Sequence, residues 1–137
     1  MSGGNCLSFL LMDAPFEQAR TATAMRLIDA TLRAGFGARV FAYEGAVSLP
    51  VTQQKPHANA IHGRTVEEEA HPTPHTWILA LAEFAAQQGV TFEWVNCGLC
   101  VDERGATDVV PAARRGSPAD FWKMAQESVN TLVIPTR

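Results

Sequence analysis

The stretch "CLSFLLMDAPFEQARTATAMRLIDATLRAGFGARVFAYEG", residues 6–45, decides the fold class. Residues 6–12 form a short, almost wholly apolar run, which is typical of a strand covered on both faces. The next segment carries an apolar and a polar stripe at helical spacing, and Gly35 provides the stop signal for a helix. Residues 38–45 predict a second strand. Together these segments predict a right-handed β-α-β unit.

The alternation of strand and helix continues in the second half of the chain. Residues 76–89, "TWILALAEFAAQQG", are amphipathic and end at glycine, which predicts a helix with Thr73 or Thr76 as its N-cap. Residues 90–97, "VTFEWVNC", alternate as a strand does and end at Cys97. This order of elements predicts an α/β fold with parallel strands.

The last third of the chain gives weaker signals. Residues 101–108, "VDERGATD", predict a polar turn, and residues 109–116, "VVPAARRG", predict a further helical turn. Ser117 followed by Pro118 is a start signal for a helix, and the closing stretch "TLVIPTR" predicts a last strand. We therefore expect a single domain over residues 1–137 with a mostly parallel sheet of about four to five strands.

Residues 46–75 interrupt this alternation. The segment holds four of the eight prolines and all four histidines, and it shows little periodicity. We expect a long surface loop, and a loop of that length is more often functional or mobile than neutral. For each histidine, an exposed position is the simplest interpretation.

Composition and charge exclude several classes of protein. The chain has 137 residues and a formal net charge of −3, and its largest basic cluster is the pair Arg114 and Arg115. A basic stripe for direct nucleic-acid binding is missing, and no apolar run approaches the ~20 residues of a membrane span. Three cysteines, an odd number, do not fit a secreted disulfide scaffold. We expect a cytoplasmic protein with free thiols that binds neither nucleic acid nor membrane.

Cys97 and Cys100 form a C-x-x-C motif at the end of the predicted strand 90–97. Ligand sites in open α/β sheets lie beyond the carboxyl ends of the strands, so this position favours a functional role. Four interpretations fit the spacing: a metal site, a redox-active dithiol, a nucleophilic thiol that carries sulfur, or two buried apolar residues. Asp102, if close, would raise a thiol pKa and Arg104 would lower it, so the sequence leaves the reactivity open.

The surrounding residues argue against two of these interpretations. Zinc usually takes four Cys or His ligands, but the third cysteine, Cys6, lies in a predicted buried strand. His71 and His75 have two prolines between them and cannot share a helical face as metal ligands often do. A thioredoxin fold needs two strands and two helices after its C-x-x-C motif, and too few residues follow Cys100. We expect no metal and no organic cofactor.

Four segments, taken in order, carry a resemblance to a known family. They are "LSFLLMDAPFEQA", "AGFGARVFAYEGAV", "WILALAEFAAQQGVTFEWVNC" and "CGLCVDERGATD". Through them the chain resembles the DsrE-like family, which includes the TusD and DsrE subunits of sulfur-relay complexes. The last segment resembles the family pattern of a cysteine, six mostly small residues and then Arg-Gly. Cys97 is the residue that matches the sulfur-carrying cysteine of the family.

The resemblance implies a flavodoxin-like fold, a three-layer sandwich, with one DsrE-like domain over residues 1–137. It implies a sulfurtransferase-like persulfide carrier, in which Cys97 accepts a sulfane sulfur from a TusA-like carrier protein or another persulfide donor and passes it on. Such chemistry needs a thiolate and neither a metal nor an organic cofactor. Family members assemble as trimers or hexamers, so a homo- or hetero-oligomer is expected.

Two features depart from the family pattern. The small residues after the family cysteine are replaced by "GLCVDE", which adds Cys100. Cys100 would either resolve a persulfide on Cys97 as a disulfide or pack as a buried residue. The long loop 46–75 would serve as a lid over Cys97 or as a docking surface. Three of its histidines are candidates to stabilise the thiolate: His62, His71 and His75.

Two alternatives to a sulfur carrier stay open at this point. A non-catalytic subunit of a DsrE-type assembly would keep Cys97 buried and slow to react with alkylating reagents. A dithiol redox or metal-binding module would form a reversible disulfide between Cys97 and Cys100, or bind zinc through both thiols. The sequence leaves the sulfur donor, the acceptor and the pathway open.

Overall fold

A five-stranded sheet, parallel throughout, organises the chain. The computed structural model describes residues 5–58, 60–69 and 71–136. The strands are Cys6–Leu11 (β1), Gly37–Ala42 (β2), Phe92–Cys97 (β3), Ala113–Gly116 (β4) and Asn130–Ile134 (β5). They lie in the order β4-β3-β2-β1-β5. The predicted α/β fold on a parallel sheet is confirmed.

Helices lie on both faces of this sheet. They are Ala19–Arg33 (α1), Val66–Glu69 (α2), Pro74–Gln88 (α3), Gly98–Arg104 (α4) and Pro118–Gln126 (α5). α1 and α3 pack together on one face, and α5 packs against β1 and β2 on the other, so the three layers are confirmed. α4 lies at the carboxyl end of β3 against a 3₁₀ helix, Glu44–Ser48. Across the described ranges, every helix is too short or too polar to cross a lipid bilayer.

Side chains alternate between the two faces along the central strands, which divides the core in two. On β2, Val40 packs in the cluster under α1 and α3, whereas its neighbour Phe41 packs in the cluster under α5. Trp94 and Val95 repeat this division on β3. Both sets are apolar because a parallel sheet is covered on both faces. The packing fixes the carboxyl ends of β2 and β3 side by side.

The strand order reverses at β1. The chain places β2, β3 and β4 in turn on one side of β1, and then returns through α5 to pair β5 with the other side of β1. The strand predicted from "TLVIPTR" is confirmed and begins at Asn130. The unit β1-α1-β2 is also confirmed as two parallel neighbours joined by a helix.

Two predictions for the last third of the chain are wrong. Residues 109–116 do not form a helical turn, because Ala113–Gly116 is the edge strand β4. This strand pairs on one side only and carries two arginines, so it lacks the apolar run that marks a buried strand. Residues 101–108 are not simply a turn, because α4 continues to Arg104. Three consecutive charged residues at the end of α4 hide its helical pattern in the sequence.

The segment 46–75 is long, as predicted, but it contains regular structure. It holds the end of the first 3₁₀ helix, a second 3₁₀ helix, Ala60–His62, and the single turn of α2. An antiparallel bridge between Val51 and Val109 fixes its start near α4. Its later part lies against the first turns of α1 and α3. The segment therefore contacts two separate regions of the molecule.

Candidate functional site

Cys97 and Cys100 lie together at the carboxyl end of β3. Cys97 is the last residue of that strand, and Cys100 is in the first turn of α4. Both side chains pack in the apolar cluster that contains Phe41 and Val95, and they are only 3% and 6% exposed. Both are free thiols, and they are close enough for a hydrogen bond to join their sulfurs. Cys6, also free and buried, lies apart from them at the start of β1.

The backbone of Glu44 contacts the second thiol. Glu44 follows β2 and has a φ of 51°, in the left-handed region that residues other than glycine rarely adopt. In this conformation its N–H donates a hydrogen bond to the Sγ of Cys100 at 3.1 Å. The next residue, Gly45, has little room for a side chain, because a Cβ would lie 3.0 Å from the Cβ of Ala14. Backbone strain held in place by packing is a common feature of functional sites.

The environment of Cys100 keeps its thiol protonated. Burial raises the pKa of Cys100 above its ordinary value, and the hydrogen bond with Cys97 acts in the same direction. The N–H of Glu44 and the charge of Arg104 lower the pKa, but these smaller effects do not reverse the direction. At neutral pH Cys100 is therefore a thiol, and its S–H is available as a donor to the sulfur of Cys97.

Arg115 brings a positive charge to the start of α4. Its guanidinium lies on the backbone of Gly98, where a Cβ would be only 2.6 Å from Nε, so a side chain at this position would displace the arginine. Arg115 donates two hydrogen bonds to the carboxylate of Asp102, at 2.9 and 2.8 Å, and these bonds hold the pKa of Asp102 below its ordinary value. The guanidinium also interacts electrostatically with Cys97. The carboxylate of Asp102 offsets the charge of this guanidinium.

The loop histidines are engaged elsewhere in the structure. The Nε2 of His71 lies 3.2 Å from the carboxylate of Glu69, and the Nδ1 of His75 lies 3.0 Å from the side-chain oxygen of Gln54. His62 is exposed in its 3₁₀ helix. The hypothesis that one of these three rings stabilises a thiolate gains no support from these positions.

The start of the segment 46–75 does reach the thiols. Val47, in the first 3₁₀ helix, packs in the same apolar cluster as Cys97 and Cys100. The proline- and histidine-rich remainder diverges after the bridge at Val51. Any covering of the thiols by this segment is therefore due to its first residues.

The described residues offer no ready-made metal centre. Within residues 5–58, 60–69 and 71–136, no group of three or more His, Cys, Asp or Glu side chains is placed to hold a metal ion. The neighbours of Cys97 and Cys100 are mostly apolar. A structural zinc site takes four ligands, so these two thiols would need two further ligands from outside the cluster.

Comparison with solved structures identifies the type of fold. The chain superposes on the crystal structure of the YchN protein from E. coli with a TM-score of 0.69 and 17% sequence identity, covering 95% of this chain and 99% of YchN. The fold is flavodoxin-like. A conserved protein of unknown function from Bacteroides thetaiotaomicron, BT1422, superposes with a TM-score of 0.53 and 15% identity, covering 95% of each chain. No protein-family profile and no curated protein sequence matches the chain. Likeness at this level of identity establishes the fold alone.

Sequence reasoning found the two thiols but missed the groups beside them. The pair Glu44-Gly45 suggests a turn, yet nothing local shows that an N–H there meets a sulfur 56 residues away. In the sequence, Arg115 is notable only as one of two adjacent arginines, because the residues of β4 show no strand pattern of their own. The one local signal is Gly98, directly after Cys97, which marks a close approach of another group.

Proposed function

We propose that this protein is a persulfide carrier in which Cys97 holds the transferable sulfur. The observation that carries the proposal is the pairing of Cys97 with a protonated Cys100 at the carboxyl end of β3. The guanidinium of Arg115, which is paired with Asp102, interacts electrostatically with the same sulfur. The chemistry requires that sulfur to react as a thiolate.

The proposed transfer is a thiol–persulfide exchange. The thiolate of Cys97 attacks the outer sulfur of a donor persulfide, the S–S bond of the donor breaks, and the donor leaves as a thiolate. Cys97 then carries the sulfur as –S–SH. An acceptor thiolate repeats the attack on the outer sulfur and releases Cys97 as a thiolate. The two steps are redox-neutral overall, so they require neither a metal nor an organic cofactor.

Cys100 provides a second outcome for the loaded sulfur. Its thiolate would attack the inner sulfur, the one attached to Cys97, forming a Cys97–Cys100 disulfide and releasing hydrosulfide. An external dithiol would then have to reduce the disulfide before another cycle. The raised pKa of Cys100 slows this attack at neutral pH, which favours storage and transfer over release.

Cys97 is 3% exposed, so a donor reaches its sulfur only when neighbouring residues move. Leu99 lies between the two cysteines and is 73% exposed, so a partner that binds its side chain acts directly on the first turn of α4. We assign this docking role to a TusA-like carrier or another persulfide donor. A homo- or hetero-oligomer, trimeric or hexameric, and a cytoplasmic location belong to the same proposal, since a reducing compartment keeps the thiols free.

The burial of Cys97 favours one competing function. A non-catalytic subunit of a DsrE-type assembly would hold Cys97 as a packing residue, and the 3% exposure of Cys97 agrees with that role. The rate of alkylation separates the two functions. A carrier thiol must react with iodoacetamide faster than Cys6, a free thiol that is equally buried at the start of β1.

Intact mass after incubation with a persulfide donor tests the carrier function directly. The reduced wild-type chain should gain about 32 Da, one sulfur atom, and lose it again on treatment with reductant. Cys97→Ser should gain nothing. The matched control is Cys6→Ser, which removes a buried thiol far from the pair and should load as the wild type does.

The remaining outcomes distinguish the alternatives. Full loading of Cys97→Ser would contradict the assignment of the sulfur to Cys97. A loss of two hydrogens without release of hydrosulfide would indicate the dithiol function, whereas the same loss with hydrosulfide would indicate that Cys100 resolves the persulfide. A wild-type chain that neither loads nor alkylates at Cys97 while folded would indicate the assembly subunit. If Cys100 resolves the persulfide, Cys100→Ser should load and retain the sulfur longer than the wild type.

A further inference from the structure

A cleft separate from the thiols lies where the first turns of α1 and α3 meet the later part of the segment 46–75. Its volume is about 280 Å³. Its walls are largely apolar and include two aromatic rings and two prolines: Phe16, Met25, Pro72, Pro74 and Trp77. The lining includes neither Cys97 nor Cys100. The sulfur chemistry proposed above therefore does not account for this cleft.

The backbone at Phe16 holds a large ring at the edge of the cleft. Phe16 has a φ of 73°, a left-handed conformation that aromatic residues rarely adopt, and its side chain is 66% exposed. An exposed aromatic ring beside an apolar cleft leaves apolar surface in water that a ligand would cover. Strained backbone and exposed apolar surface at one place together indicate a binding function.

Basic side chains lie around the same opening. A smaller adjoining pocket, of about 50 Å³, shares His57 and His71 with the cleft and adds Lys55 and Glu69. The carboxylate of Glu69 is already engaged, because it lies 3.2 Å from the Nε of Arg64 and 3.2 Å from the Nε2 of His71. Arg64 offsets the charge of Glu69, which leaves Lys55 as the unpaired charged group among the residues that line the two pockets.

We propose that this cleft binds a small aromatic carboxylate. The ring would lie against Phe16 and Trp77, since flat rings pack well on aromatic side chains. The carboxylate would face Lys55, whose ammonium group supplies the complementary charge. The volume is slightly below the range of drug-sized pockets, which suits one or two fused rings. An apolar docking surface alone would not need the cation, and an anion site alone would not need the aromatic walls.

Calorimetric titration of the full chain with naphthoate tests the proposal. Naphthamide serves as the matched ligand, because it has the same rings and no charge. Naphthoate should bind about fivefold more tightly than naphthamide, the preference expected for partly exposed ion pairs. The double substitution Lys55→Gln and His71→Gln should bring the affinity for naphthoate close to that for naphthamide.

Two substitutions on α1 locate the binding. Ala22 lines the cleft, whereas its exposed neighbour Thr23 does not. Ala22→Phe should fill the cleft and reduce the affinity at least about tenfold, and Thr23→Phe adds the same ring to the same helix and should bind as the wild type does. Cys97→Ser should also bind normally, so this proposal stands or fails independently of the sulfur chemistry.

Several results would overturn the proposal. Undetectable binding of naphthoate at millimolar concentration would do so, as would equal binding of naphthoate and naphthamide by the wild type. Equal affinities of Ala22→Phe and Thr23→Phe would show that the ligand lies elsewhere. Sedimentation should give Ala22→Phe and Thr23→Phe the same oligomeric state as the wild type. A dimer that Ala22→Phe abolishes and Thr23→Phe preserves would mean that a second copy of the chain fills the cleft.

Discussion

Two neighbours, Glu44 and Cys97, act on the thiol of Cys100. Cys100 accepts a hydrogen bond from the backbone of Glu44 and lies beside the sulfur of Cys97. Because burial outweighs this hydrogen bond, Cys100 keeps its proton at neutral pH. In a C-x-x-C pair, the thiol that keeps its proton supports its neighbour as a donor and is slower as an attacking group. A slowly attacking Cys100 agrees with the proposed storage of a sulfur on Cys97.

The raised pKa of Cys100 predicts a pH dependence of stability. The unfolded chain loses the Cys100 proton near its ordinary pKa of about 8.5, whereas the folded chain loses it at higher pH. The stabilising contribution is therefore complete below pH ~8.5 and is lost as pH rises toward the folded-state pKa, by at most ~1.4 kcal/mol per pH unit. Urea unfolding under reductant at pH 7, 9 and 10 should show a steeper loss for the wild type than for Cys100→Ala.

Val101→Ala is the matched control for this measurement. It truncates a buried side chain in the same apolar cluster and leaves Cys100 in place, so it should be less stable with the pH dependence of the wild type. The interpretation is wrong if Cys100→Ala and the wild type lose stability equally between pH 7 and pH 10.

At the level of single residues, the sequence identifies candidate functional residues that are close together along the chain. Cys97 and Cys100 are recognisable as a pair because they are only three positions apart. Glu44 and Arg115 are not recognisable, because the loop after β2 and the edge strand β4 bring them to the thiols only in the folded chain. Their roles depend on the pairing of β3 with both neighbouring strands.

The start of α5 is an element that the sequence specifies closely. Ser117 is its N-cap and is followed by proline, as predicted. The carboxylate of Asp120 turns back to accept a hydrogen bond from the N–H of Ser117 at 2.8 Å. This junction follows directly on β4, where Gly116 has no room for a side chain, since a Cβ would lie 2.5 Å from Val95. The cap therefore fixes where the chain leaves the edge strand.

Removal of this cap should destabilise the protein measurably. Asp120→Ala should lower the free energy of unfolding by about 1 kcal/mol, because the N–H of Ser117 loses its acceptor. Asp120→Asn keeps an acceptor oxygen in the same place and should lose less than half as much. Urea unfolding at neutral pH measures both values. Equal losses for the two variants would mean that the negative charge, which also faces Arg114, matters more than the cap.

Elements with a clear periodic pattern are predicted well, and elements defined by their neighbours are not. α1 and β1 follow from the apolar pattern of their own residues. β4 has four residues, two of them arginines, and becomes a strand because β3 offers it an unpaired edge. α4 is short, and its first turn is stabilised by contact with the 3₁₀ helix after β2.

At the scale of the whole molecule, the segment around α2 is the least firmly held of the described parts. None of the residues of α2 is buried, and neither is any residue of the 3₁₀ helix Ala60–His62. Regions with few buried apolar contacts open most easily and are cut first by proteases. The strands β1, β2 and β3, in contrast, lie inside the sheet with core on both faces.

Limited digestion with trypsin should therefore begin between Arg64 and Thr65. The side chain of Arg64 is 52% exposed in this segment, and the bond after the nearby Lys55 is protected by Pro56. Mass spectrometry of the first fragments identifies the cut, and Arg64→Gln should abolish it. Arg104→Gln, at the end of α4, is the control and should leave the first cut unchanged. A first cut within β1, β2 or β3 would contradict this ranking of stability.

The sheet order has a consequence for synthesis of the chain on the ribosome. β1 is made first, and one of its edges has no partner until β5 appears. About 120 residues separate the two strands, so at roughly 5–20 residues per second this edge waits about 6 to 25 s. During that interval its free N–H and C=O groups form a template on which another strand can pair. The yield of native protein therefore depends on what shields the nascent β1 until translation reaches β5.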